Sequence, residues 1–160
     1  MEYISTNHQS VTELINDGGD CRTAPATPGL LIRHRFDCKS RLCVYLVKCK
    51  KGGFQYTGST VQHMHLRHGG HRQEVREESS PLGRHFAQCG VAMMLIQIID
   101  CVRTDLTSDD ESREALRYLE GVWQNRLATC TAEHGNINHV DEMTARGNRI
   151  PGTIRNLLNM

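Results

Sequence analysis

Aromatic side chains are scarce: the 160 residues hold one Trp, four Tyr and three Phe. A tyrosine outside an obvious core stripe therefore calls for an explanation. Long apolar runs are absent. The longest, Val91 to Ile96, covers six residues, whereas a membrane-spanning helix needs about 20. Neither sign of charge prevails, with 19 Lys+Arg against 18 Asp+Glu and a formal net charge of +1. That excludes a histone-like polycation but leaves room for a local polyanion site. The opening stretch, MEYISTNHQS, lacks a basic segment followed by an apolar core, so no secretory signal is expected. Cysteine pairing is missing from the pattern as well, since the seven cysteines are odd in number and scattered. These features point to an intracellular, reducing compartment (the nucleus in a eukaryotic host), with thiols free or bound to metal.

What the chain does carry is unevenly placed. Residues 33–51 hold seven Lys and Arg against Asp37 alone, a local net of +6, and residues 105–120 hold six acids against Arg113 and Arg117, a net of −4. A basic front and an acidic later helix suit a one-sided polyanion site, although a solvated face gives the same pattern. Five of the nine histidines (His63, His65, His68, His71, His85) crowd together. The length and the 38% hydrophobic share fit one globular domain. We place it at residues 36–142, between an N-terminal arm and linker (1–35) and a C-terminal tail (143–160).

Local patterns give the elements. Ser10 with Glu13, the stripe Val11, Leu14, Ile15 and the stop at Gly18-Gly19 predict a short N-terminal helix. Leu42 to Cys49 (LCVYLVKC) predicts a strand, Lys50 to Gly53 a turn, and Phe54 to Thr57 a returning strand, which makes Tyr45 and Tyr56 candidate cross-strand neighbours. Ser59 or Thr60 is the expected cap of a helix running to about residue 78, on which Met64, Arg67, His68, His71 and Val75 share a face. Ser80-Pro81 opens a second short helix with Arg84, His85 and Phe86. Ala92 to Val102 reads as a third strand. Thr107 to Asp110 caps a long helix with the stripe Leu116, Leu119, Trp123, Leu127. Glu120 falls beside that stripe, where a charge needs a partner or a metal. The expected class is α+β, in the order β-β-α-α-β-α.

This ordered set resembles the GIY-YIG endonuclease superfamily. Cys43-Val44-Tyr45 stands where that family has GIY, and Tyr56-Thr57-Gly58 stands for YIG. The segment YTGSTVQHMHLRHGGHR is similar to the family run Tyr-x-Gly-x-Thr followed by an apolar residue, an Arg and a His, here Met64, Arg67 and His71. LEGVWQNRLAT resembles the helix with the metal-binding Glu, and the loop His134 to Asn138 resembles the Asn-bearing loop after it. The subgroup most similar is the endonuclease domain of Penelope-like retroelements, through Asp37-Cys38-Lys39-Ser40, His85-Phe86 and Trp123. The chain departs from the family pattern at Cys43, at Thr57 and after Cys49, where relatives often have Cys-x-x-Cys.

The resemblance implies a three-stranded antiparallel sheet flanked by helices, and hydrolysis of DNA phosphodiester bonds. It implies Glu120 as the ligand of one Mg²⁺ or Mn²⁺ ion, which keeps several waters. It implies Arg67 on the scissile phosphate, a group that guanidinium geometry matches. Tyr45 would stand next to the attacking water. A phenol with a pKa near 10 is a poor base at neutral pH, so it needs a neighbouring proton acceptor, which the resemblance supplies as His71. Tyr56 would join the same phosphate or water network, and either Asn136 or Asn138 would carry the family Asn. Lys48, Lys50, Lys51 and Arg72 are the basic residues expected to bind nucleic acid. A monomer should nick DNA, and a dimer is needed to cut both strands.

Each residue also has a plainer reading: an ion pair of Glu120 with Arg113 or Arg117, a surface Arg67, a structural His71, a half-buried strand tyrosine at 56, turn asparagines. Two other function classes compete. One is a catalytically silent nucleic-acid-binding module on the same fold. The other is a small adaptor stabilised by structural Zn²⁺ on Cys38, Cys49, His85 and Cys89.

Overall fold

The computed structural model describes residues 36–102 and 108–130, together with the backbone of two short strands, β1 (Thr12–Ile15) and β2 (Cys21–Ala24). The run predicted as the first strand of the domain forms β3, Cys43–Cys49. It is the middle strand of a three-stranded sheet ordered β4-β3-β5, with β4 at Gln55–Thr60 and β5 at Met94–Cys101. Both neighbours run antiparallel to it. Because β3 is covered on both faces, its sequence is almost continuously apolar rather than alternating. Tyr45 and Val47 point to one side and pack with Met64, Leu82 and Phe86. Val44 and Leu46 point to the other and pack with Leu116, Leu119 and Trp123.

Helices α1 (Met64–Glu77) and α2 (Pro81–Cys89) supply the first of those layers, and α3 (Asp109–Arg126) supplies the second. The protein is thus α+β, a three-stranded antiparallel sheet with three helices. Two capping signals behave as the sequence suggests. Ser80 accepts a hydrogen bond from Gly83 N ahead of Pro81, and Ser108 forms a capping box with Glu111. Close packing of α1 on α2 depends on Gly83, where any Cβ would run into the carbonyl of Glu74. No described helix is long and apolar enough to cross a membrane.

Several expectations need correction. Residues 12–15 are a strand paired antiparallel with residues 21–24, Thr12 opposite Ala24 and Ile15 opposite Cys21, not a helix. A two-turn helix is marginal alone, whereas a Gly-Gly connection suits a hairpin. Strand β4 continues to Thr60, so neither Ser59 nor Thr60 caps α1; His63 is the N-cap residue and caps without its side chain. Thr60 Oγ1 instead accepts from Gln62 N at 3.1 Å. The last strand begins at Met94, after a short 3-10 turn at Val91–Met93. Helix α1 runs unbroken through Gly69-Gly70, keeping Arg67 and His71 one turn apart.

Candidate active site

Strand register brings the two tyrosines together, though not face to face across the ladder. Tyr45 lies opposite Gly58 and Tyr56 opposite Val47, so the phenols are diagonal neighbours on the α1 side of the sheet. Their ring centroids are 6.4 Å apart. The space for this is Gly58: a Cβ there would lie 2.6 Å from Tyr56 Cε1 and 2.7 Å from Tyr45 Oη. Only a residue without a side chain lets the Tyr45 ring cross its neighbouring strand at this height.

Helix α1 then delivers Arg67 and His71 to the phenol. Arg67 Nε donates to Tyr45 Oη at 2.8 Å, and Tyr45 Oη lies 2.8 Å from His71 Nε2. The other imidazole nitrogen, Nδ1, is 3.3 Å from Glu74 Oε2. A carboxylate only accepts, so the ring hydrogen belongs on Nδ1 and Nε2 receives the phenolic hydrogen. Glu74 is pinned on both oxygens. Arg67 Nη1 donates to Oε1 at 3.1 Å and Ser80 Oγ donates to Oε2 at 2.9 Å.

The electrostatics follow from burial. Tyr45 and His71 are both wholly buried. Burial pushes the Tyr45 hydroxyl well above the ordinary phenol range, with Tyr56 acting in the same direction and Arg67 opposing. Burial also lowers the proton affinity of His71, against the pull of Glu74. The His71 hydrogen bond, aided by Ser80 and Arg67, holds the Glu74 carboxyl down to about 2. At neutral pH the group is therefore a neutral phenol, a neutral imidazole, a carboxylate and a guanidinium. Tyr56 is half-buried; partial burial and the charge of Glu120 raise its hydroxyl, and Arg67 opposes. Tyr56, Arg67, Glu74 and Ser80 line an open cleft of about 330 Å³ together with Ser79, Pro81 and Leu82.

Glu120 reaches this region from the other layer. Ser59 Oγ donates to its Oε2 at 2.5 Å and Gln124 Nε2 to its Oε1 at 3.1 Å. Arg113 and Arg117 are exposed. Ser59 and Gly58 are consecutive on β4, the edge strand, so the Tyr45 group and Glu120 sit on opposite faces of one thin border. Glu120 is close enough for its charge to raise both tyrosines. A half-buried carboxylate oriented by two neutral donors suits a hard divalent cation that keeps most of its waters.

The basic residues fare differently. Lys50 Nζ donates to Ala92 O at 3.2 Å and Lys51 Nζ to Cys89 O at 3.4 Å. They cover carbonyls at and just after the C-terminal end of α2, where cations are favoured. They lie at the hairpin turn, about 16 to 20 Å along the chain from Tyr45 at 3.3 Å per residue. Lys48 and Arg72 are half-buried. Asn136 and Asn138 lie outside the described residues.

A second cluster stands at the hairpin end of the sheet. Cys49, His85 and Cys89 bring their ligand atoms within 4.8 Å of one another, a group that could hold a metal ion. Phe54 stacks on the His85 ring at 4.0 Å. Cys38, expected as a fourth ligand, packs on the same core but lies outside this group. Sequence reasoning also passed over Glu74, Ser59 and Ser80. Glu74 follows His71 by three positions, the only signal available for it. No protein-family model, curated protein or solved structure matches this chain.

Proposed function

We propose that this chain is a metal-dependent DNA endonuclease of the GIY-YIG type, related to the endonuclease domains of Penelope-like retroelements. The observation that carries the reading is the buried contact of Tyr45 with Arg67 and His71 at a cleft within electrostatic reach of Glu120. A phenol held between a guanidinium and a neutral imidazole has a cation to stabilise its anion and an acceptor for its proton. Tyr45 takes a proton from the attacking water as its own passes to His71 Nε2. The water oxygen bonds to phosphorus, and the bond from phosphorus to the leaving sugar oxygen breaks. Arg67 still has donors beyond those used on Tyr45 and Glu74, and these bind the scissile phosphate. Because Tyr45 is wholly buried, DNA binding must part the Tyr56 and Arg67 side chains enough to admit one water to its hydroxyl. Such tightening and rearrangement on substrate binding is ordinary in acid–base sites. Glu120 would hold Mg²⁺ or Mn²⁺, which supplies charge stabilisation for the phosphate and the leaving oxygen when bound.

Cys49, His85 and Cys89 suit Zn²⁺, since thiolate and imidazole are soft and borderline ligands that Mg²⁺ avoids. These three side chains at the junction of β3 and α2 leave the fourth position of a tetrahedral site to another ligand, and zinc content of the purified chain tests whether the group binds the ion. The test of activity is supercoiled plasmid incubated with Mg²⁺ or Mn²⁺. Wild type should relax it, whereas Glu120→Ala and Arg67→Ala should each be slower by at least 100-fold. DNA bound in a gel shift with no relaxation by any of them would replace this reading with the silent binding module.

A further inference from the structure

We propose that Glu74 is a positioning residue that completes a Tyr45–His71–Glu74 relay, fixing the His71 tautomer and holding the imidazolium formed when Tyr45 gives up its proton. The inference rests on the nuclease reading above and adds to it a group outside the motif that suggested that reading.

Geometry sets the direction of the relay at both ends. Arg67 Nε donates to the phenol oxygen, so the phenol hydrogen is directed to His71 Nε2. Glu74 accepts from Nδ1, so Nε2 must present its lone pair. Reversing the tautomer would leave two hydrogens facing each other between Tyr45 and His71 and a buried Nδ1 lone pair against a carboxylate. The logic is that of a carboxylate–histidine pair serving a hydroxyl nucleophile, transferred to a phenol.

The surroundings of His71 explain why the carboxylate is needed. Tyr45 faces it from β3, Tyr56 meets it from β4 at 5.8 Å between ring centroids, and Arg67 and Glu74 come from its own helix. From the α2 side Ser80 acts through Glu74. Among these groups only Glu74 is an anion, and among the described residues it is the counter-charge that contacts an imidazolium in this buried place beside Arg67. Glu74 does not wander. Ser80 Oγ holds it while accepting from Gly83 N, so the start of α2 is tied to the relay. The proton stays on His71, because a carboxyl held near 2 is too weak a base to take it. When Tyr45 accepts the water proton, its own hydrogen moves to Nε2. Nδ1–H remains shared with Glu74, and the extra proton leaves later to solvent.

The test uses the full chain with ¹⁵N-labelled histidine, wild type and Glu74→Gln, titrated by NMR, alongside plasmid nicking across pH with Mg²⁺. Wild-type His71 should be the neutral Nδ1–H tautomer at pH 7. In Glu74→Gln its pKa should fall, kcat should drop by about 10-fold or more, up to the roughly 10⁴-fold seen when a triad carboxylate is lost, and the acid limb of the rate profile should move to lower pH with KM for DNA less affected. Ser80→Ala should shift the same quantities in the same direction by less. An Nε2–H tautomer in wild type overturns the proposal. So does a Glu74→Gln variant whose His71 titrates unchanged, or whose kcat falls with no movement of the acid limb. If wild type fails to nick, the nuclease reading falls, while the tautomer and titration still decide whether the relay exists.

Discussion

Gly58 decides where the site tyrosines stand. A methyl group at this position would come within 2.8 Å of both rings, closer than carbon atoms tolerate. Tyr45 is wholly buried and has nowhere to move. Gly58→Ala should cost about 1–3 kcal/mol, as overpacking does, and should remove nicking by displacing Tyr45 from Arg67. Urea melts and the plasmid assay check the two parts; a fully stable Gly58→Ala variant with unchanged nicking would remove Gly58 from this role. The glycine was legible in the sequence as a motif position, and the structure supplies its reason. Glu74 was not legible. A glutamate on an amphipathic helix ordinarily faces water; this one is held by His71 and Arg67 of its own helix and by Ser80 Oγ at the start of α2, and the last is a contact between elements that no local pattern encodes. Ser59 was misassigned for a similar reason: a serine before a helix looks like a cap, and only the register of β4 shows that it faces Glu120.

At the scale of elements, each helix records its boundary chemistry. Helix α1 ends at Glu78, whose φ of 49° is left-handed. This conformation costs a residue with a side chain about 1 kcal/mol or more and costs glycine little. Glu78→Gly should therefore raise stability by about 0.5–1 kcal/mol without altering the site, read as an increase in the urea midpoint at constant m. A loss of stability would mean that the Glu78 side chain holds more than its backbone strain. The order of the six elements of the domain was readable because β3, β5 and α3 carry strong apolar patterns and two of the caps use their standard residues. The N-terminal segment misled because Ser10, Glu13 and a three-residue stripe fit a helix start, while the pairing that makes it a strand lies with residues 21–24. Pairing partners are non-local, and a window of ten residues does not contain them.

For the whole molecule, the buried relay makes stability depend on pH in a predictable sense. Folded His71 takes up a proton less readily than the unfolded chain, whose imidazole titrates near 6.5. Its contribution is complete above that value and declines as pH falls below it. Glu74 is shifted from about 4.5 down to about 2 on folding, so its contribution is present above 4.5 and lost as pH falls through that window. Tm should thus drop in two stages, the first below pH 6.5, to which His85 adds in the same sense because burial lowers its proton affinity too, and the second below 4.5, with Glu74→Gln reducing the second. A Tm constant between pH 7 and 5 would count against a buried neutral His71. The placement of the site has one more result. Strand β4 pairs with β3 alone among the described strands, and it is the strand that carries Tyr56, Gly58 and Ser59. That strand's outer edge is partly covered from α3, where Gln124 Nε2 donates to Thr57 O at 3.4 Å as well as to Glu120 Oε1. Covering an edge strand in this way keeps it from pairing with another extended chain, so the side chain that orients Glu120 also guards the sheet against self-association.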